Sequence, residues 1–280
     1  MTVPSRPRTA RRIGGAVLLA LAVSTALRSQ EPTGLAADAL TDPDFRWMHR
    51  SAPGFRIHFL AGSYPAAHQD SLIGRTVAAK MHALSLLGAE AFDQTLDVFF
   101  VETRPQMEAL IGARATGFAD MEGRGVFLMT NPEWRAFERH EMMHVLARQL
   151  WGSPAEPSAW IQEGLAQFTD GYCAGYRNEQ VLVALAVDSG LTDLETLVTQ
   201  FRRLNDLTAY LEAATFVGYI YRTAGRDGLR ALWSNGEDGA VSRLPRSLRE
   251  LHVEWRRSLP TRGKLPTDRE VERVRQRGCG

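Results

Sequence analysis

Residues 140–144 read His-Glu-Met-Met-His, within a run of about twenty residues that carries helix signals at both ends. Asn131 followed by Pro132 has the form of a helix start, and Gly152 after Trp151 that of a helix stop. On one helix His140 and His144 lie a turn apart on the same face, so both imidazoles can reach a single ion. Glu141 is displaced by about 100° round the axis, near enough to address a water on that ion but not to replace a ligand. A third ligand has to come from elsewhere in the chain.

Two downstream patterns commonly supply it. One has a glycine at the third position after the second histidine and a histidine at the sixth. Those positions hold Ala147 and Leu150, which excludes it. The other takes a glutamate from the next helix. Ser-Pro-Ala-Glu-Pro at 153–157 breaks the chain, Ser158 can cap a new helix, and Glu163 falls one turn inside it. Gly164 beside it is small enough to let these two helices approach closely.

Composition narrows the class. A chain of 280 residues with 44% hydrophobic and 23% charged side chains is neither a disordered polymer nor a collagen-like fibre nor a disulfide-stapled miniprotein. Its 33 basic and 32 acidic residues give a formal charge of +1, which offers no basis for a nucleic-acid partner. Arg6, Arg8, Arg11 and Arg12 precede an uncharged apolar run at 13–27, the pattern of a secretory signal. The run is short for a membrane span of about twenty residues, and an uncleaved amino-terminal anchor is the alternative. Removing residues 1–30 takes away five arginines and no acids, leaving 28 basic against 32 acidic residues, a charge of −4. The expected location is therefore periplasmic or secreted, with membrane contact only if the segment is retained. Export would allow Cys173 and Cys279 to pair, although Cys279 is the penultimate residue of a charged tail.

The pattern along the chain is α+β. Residues 31–53, with Pro32, Gly34, Pro43 and Pro53, read as a linker. The segment 54–131 reads as a small α/β part: strands near 55–59, 96–101 and 125–130, a long helix over 66–87 and a short one over 105–111. The segment 132–257 reads as helical, in pieces at 132–151, 159–170, 178–188, 193–204, 206–224, 227–234 and 241–257. Residues 258–280 read as a charged, flexible tail with a short helix opened by Thr267 and Glu270. His49, His58, His68, His82 and His252 are scattered without ligand spacing, and the tryptophans read as helix-packing groups.

His140-Glu-x-x-His144, with Glu163 nineteen residues after the second histidine and set in Trp-Ile-Gln-Glu-Gly-Leu-Ala at 160–166, resembles the glutamate-zincin (gluzincin) metallopeptidases. It is most similar to the peptidase MA-like family of exported bacterial proteins; the spacing is also like that of the aminopeptidase N group and close to thermolysin. The resemblance covers roughly residues 55–235. It implies a zincin-like fold, one Zn²⁺ per chain held by His140, His144 and Glu163, and a peptide or protein substrate. It also implies Glu141 as general base and an oxyanion donor on a later helix, for which Tyr210 and Tyr219 are the candidates. Two departures stand out. Gln167 occupies the place of a supporting aspartate, with Asp170 a turn further on. Asp-Met-Glu-Gly at 120–123 matches only the Met-Glu of an amine-recognition loop, so Glu122 reads as a turn residue.

The strand at 126–130 is the expected partner for an extended substrate through backbone pairing. The rival reading keeps the fold as a noncatalytic binding or assembly module of the cell envelope, with zinc as a staple. A structural zinc site normally closes with a fourth protein ligand, and no such residue is evident. Cleavage specificity and oligomeric state have no signature in the sequence.

Overall fold

The computed structural model describes residues 31–204, 206–259 and 264–279; the expected signal segment at 1–30 lies outside them. Leu96–Val101 is buried at all six positions, as only a strand covered on both faces can be. It is the central strand of a five-stranded sheet. In chain order the strands are β1 (Trp47–Ala52), β2 (Phe55–Leu60), β3 (Leu96–Val101), β4 (Gly117–Asp120) and β5 (Gly125–Met129), and their spatial order is β1-β2-β3-β5-β4. The inner three are parallel, and β1 and β4 close the two edges antiparallel.

Alternation along the strands divides the core. Val98, Phe100, Val126 and Leu128 join a large cluster with α3 (Gln69–Leu87), reached through the short α2 (Tyr64–Ala67), and with the helical half of the chain. Phe99, Val101, Phe127 and Met129 face a smaller cluster with α1 (Leu35–Thr41) and α4 (Arg104–Ile111). The helical half comprises α5 (Glu138–Trp151), α6 (Ala159–Asp170), a two-residue hairpin β6 (Tyr172–Cys173) and β7 (Tyr176–Arg177), then α7 (Asn178–Ser189) and α8 (Leu194–Thr199). A 3-10 turn at Phe201–Arg203 leads into α9 (Asp206–Ala240), broken at Gly225 and Gly236, followed by α10 (Leu248–Ser258) and α11 (Asp268–Arg277). The α+β class, with a mixed sheet first and a mainly helical half after it, is as the sequence pattern indicates. Among the described residues no helix is long and apolar enough to cross a membrane.

Several local expectations need correcting. Residues 31–53 are not a linker: they hold α1, whose Ala36 and Ala39 are buried, and edge strand β1. The prolines there mark the turns between elements. β1 is mostly exposed because only one edge of it meets the sheet. The helix expected from 132 begins at Glu138. Asn131 instead closes a turn, its side-chain oxygen accepting from the N–H groups of Glu133 and Trp134. Ser158 precedes α6 but makes no side-chain cap; its hydroxyl donates to Glu156.

The carboxyl-terminal segment is not a free tail either. Thr267 and Glu270 form the expected capping box of α11, which buries Val271 and Val274. Cys173 and Cys279 are joined as a disulfide. The β1–β2 register also brings two histidines together that the sequence leaves scattered: His49 Nδ1 lies 2.8 Å from His58 Nδ1, and His58 contacts Asp97.

Gly164 acts on a different neighbour from the one its position suggests. A Cβ there would stand 2.8 Å from the Ala213 carbonyl oxygen and 2.8 Å from Val217, so the glycine lets α6 approach α9 rather than α5. Gly218 does the reverse from α9, its missing side chain making room for Phe168. The helix–helix contact is thus set by two glycines facing in opposite directions. Gly164→Ala should destabilise the protein by about 1–3 kcal/mol through overpacking, measured by urea denaturation. An unchanged denaturation midpoint would show that the contact has slack.

Candidate metal centre

Helix α5 presents His140 and Glu141 inward because its opposite faces are taken up by packing. Met142, Met143, Val145 and Leu146 are in the large core, and Arg75 of α3 binds Glu138 in its first turn at 2.6 Å. Helix α6, held against α9, turns Glu163 toward α5. The three side chains converge: His140 Nε2 and His144 Nε2 are 3.2 Å apart, and each lies 3.3 Å from Glu163 Oε2.

These distances suit one small ion. Ligand atoms about 2.0–2.1 Å from a tetrahedral centre lie roughly 3.3 Å from one another. Two imidazoles and a carboxylate are a donor set that Zn²⁺ accepts and that leaves one position open. Among the described residues this is the one group of three or more His, Cys, Asp or Glu side chains able to share an ion.

Electrostatics favour positive charge at the same point. Burial alone would lower the pKa of His140, but its hydrogen bond to Glu163 and the charges of Glu141, Glu163 and Asp170 raise it to about 9. Burial works against ionised Glu163, yet the adjacent His144 and the hydrogen bonds from both imidazoles hold it well below the usual carboxylate range. Glu141 is raised by burial, with the two histidines opposing. Without an ion the fold favours a proton on His140, a charge that a divalent cation would replace.

The site opens into a cavity of about 540 Å³. One wall is the sheet edge and the turn leading into it. A side chain at Gly117 of β4 would collide with the Glu141 carboxylate, so the bare backbone lies directly against the candidate base. The start of α9 forms another wall, through Leu207, Tyr210 and Leu211, and the carboxyl-terminal segment a third, through 276–279.

The two tyrosines separate here. Tyr210 lines the cavity with its ring 6.3 Å from that of His140. Tyr219 is not brought to the site; its hydroxyl donates to Glu254 of α10 at 3.1 Å. Nine residues on one helix are two and a half turns, which puts the pair on opposite faces.

The strand expected to receive substrate is also displaced. β5 is paired on both sides, by β3 and β4, and has no free edge; β4 is the edge strand beside Glu141. Asp120 marks it in the sequence, since its carboxylate accepts from Gly123 N–H in the turn between β4 and β5. An Asp-x-x-Gly turn ahead of the apolar run at 125–129 is the signal that could have located this hairpin.

Asp170 is committed to Arg135 at 2.6 Å and reaches His140 by charge, while the Gln167 amide donates to Asn178. Glu122 sits in the β4–β5 turn and pairs with Arg148 at 2.6 Å. Missed by sequence reasoning was the carboxyl-terminal wall, whose only hint was the second cysteine. No family model matches the chain, and no curated protein is significantly similar to it.

The triad sets a pH response in the metal-free protein. His140 is raised from 6.5 to about 9 in the fold, so its stabilising contribution is complete below pH 6.5 and lost as pH rises through about 9. Glu163 is depressed, so its contribution is present above 4.5 and lost only as pH falls. Metal-stripped protein should therefore lose thermal stability between pH 6.5 and about 9, and His140→Gln should flatten that decline in calorimetry. A wild-type midpoint constant across the interval would mean that Glu163 does not hold a proton on His140.

Proposed function

We propose that the protein is a zinc-dependent peptidase of the glutamate-zincin type, hydrolysing peptide bonds with Glu141 as general base. The observation that carries this reading is the regular triangle of His140, His144 and Glu163 ligand atoms, with the Glu141 carboxylate beside the open backbone of β4. When bound, zinc polarises a carbonyl and lowers the pKa of water toward about 7.

The chain's own groups would do the rest. β4 offers its edge N–H and C=O groups to an extended peptide, which favours peptides over sugars or small esters. Glu141 takes a proton from the attacking water and passes it to the leaving amine. The upward push of burial on its pKa suits a carboxylate that must hold that proton between the two steps. Tyr210 is the better-placed candidate to donate to the oxyanion, since it lines the cavity beside His140. The disulfide between Cys173 and Cys279 supports the export expected from residues 1–30, because such bonds persist in oxidising compartments.

Purified protein should carry about one zinc per chain by elemental analysis, and Glu163→Gln should lose most of it. Glu141→Gln should keep the metal while cleavage of a peptide library falls by roughly 10²–10⁴-fold. Zinc-loaded wild type that cleaves no peptide would instead favour the noncatalytic binding module. A metal-free protein would remove the basis of both readings.

A further inference from the structure

The walls of the cavity are unbalanced in charge. Arg104, Arg114 and Arg277 line it, and among the described residues the one carboxylate lining it is Glu141. Arg104 lies over the Trp134 ring at 5.2 Å; among the described residues neither it nor Arg277 has a carboxylate within ion-pair distance. Arg114 has only Glu108, at 3.6 Å, a pair too exposed to hold it. A concave site bounded by low-dielectric walls focuses such a field and draws in the opposite charge.

The three cations are carried by separate elements. Arg104 opens α4 and Arg114 lies beyond its end, so they bracket a helix about 12 Å long. An extended peptide repeats a side chain on one face about every 7 Å, so the two guanidinium groups can address different residues of one substrate. Arg277 ends α11, two residues before Cys279, which is bonded to Cys173 and whose carbonyl accepts from Ala174 N–H at 3.3 Å. The third cation is therefore carried on anchored backbone.

We propose that this cleft selects acidic peptides, with Arg104, Arg114 and Arg277 receiving carboxylates near the scissile bond. The inference rests on the peptidase reading for the cleavage step, but not for binding itself. Guanidinium groups take carboxylates through paired, charge-assisted hydrogen bonds; all three are exposed at the cleft, so the attraction is open to screening by salt. The carboxylates could be glutamate or aspartate side chains or a free chain terminus.

The test is peptide binding to full-length Glu141→Gln protein, read by fluorescence anisotropy. The probes are labelled decapeptides with glutamates on either side of their centre, the matching glutamine peptides, and each of these with a free or an amidated terminus. The glutamate peptide should bind about tenfold more tightly than its glutamine counterpart at about 0.05 M salt, with the gap shrinking at about 0.5 M. Replacing all three arginines by glutamine should remove the gap, and replacing them by lysine should restore part of it. A gap that tracks the free terminus instead identifies the chain end as the source of the carboxylate. Equal binding of the two peptides, no detectable binding of either, or a gap untouched by the arginine substitutions would overturn the proposal. Cleavage by wild type separates the two claims. A selective binder that cuts neither peptide sinks the peptidase reading alone, and an enzyme that cuts both equally well sinks the acidic selectivity alone.

Discussion

A carboxylate as largely removed from water as Glu163 is costly unless positive charge stands beside it, and much of the helical half is arranged around meeting that condition. The two imidazoles of α5 can supply the charge only if α6 approaches with Glu163 facing them. α6 cannot choose its rotation freely, because Gly164 seats it on α9 at a distance that no other residue permits. Glu163 and Gly164 are neighbours in sequence, about 100° apart on the helix, so the contact that locks one also aims the other. The candidate metal centre is in this sense a consequence of helix packing. A proton on His140, or a cation in its place, would neutralise what the packing buries.

The triad is legible in the sequence because helical periodicity itself carries its geometry. The four-residue step from His140 to His144 fixes a shared face, and a chain break followed by Glu163 one turn into a new helix fixes the return. The same periodicity, carried further, excludes Tyr219 once Tyr210 is inside. Features decided by tertiary surroundings cannot be read locally. Asn131 accepts from the N–H groups two and three residues on, the chemistry of a helix cap and equally of an Asx turn. The residues alone do not distinguish the two, and the helix starts at Glu138 rather than at Pro132. β1 shows no alternation because its exposed side chains meet solvent on both faces, and β4 is only four residues long. Both are edge strands, where the demands on side chains are weakest.

Edge strands are normally protected, since unpaired backbone groups invite association with other chains. β4 has few such protections: it is partly buried and opens with glycine beside the candidate base. Its far end is tied instead, with Asp120 accepting from Leu35 N–H and thereby joining the edge to the start of α1. The proline-marked segment at 31–53 therefore has a part in the site, holding one end of the edge strand while the end near Glu141 stays open.

The disulfide gives this arrangement its last constraint. Cys173 lies three residues beyond α6 and Cys279 two beyond α11, so a closure spanning 106 residues couples the helix that carries Glu163 to the segment that walls the cavity. A loop of that size restricts the unfolded chain by about 4–5 kcal/mol in the entropic account. That stabilisation would accrue wherever a bond joined distant parts of the chain. The location matters for another reason: the bond connects the chain leaving the helix of a candidate metal ligand to the Arg277 wall. Movement of the wall away from the cleft would have to carry the β6–β7 hairpin with it or break the bond, so the cavity wall is tied to the chain that leaves α6.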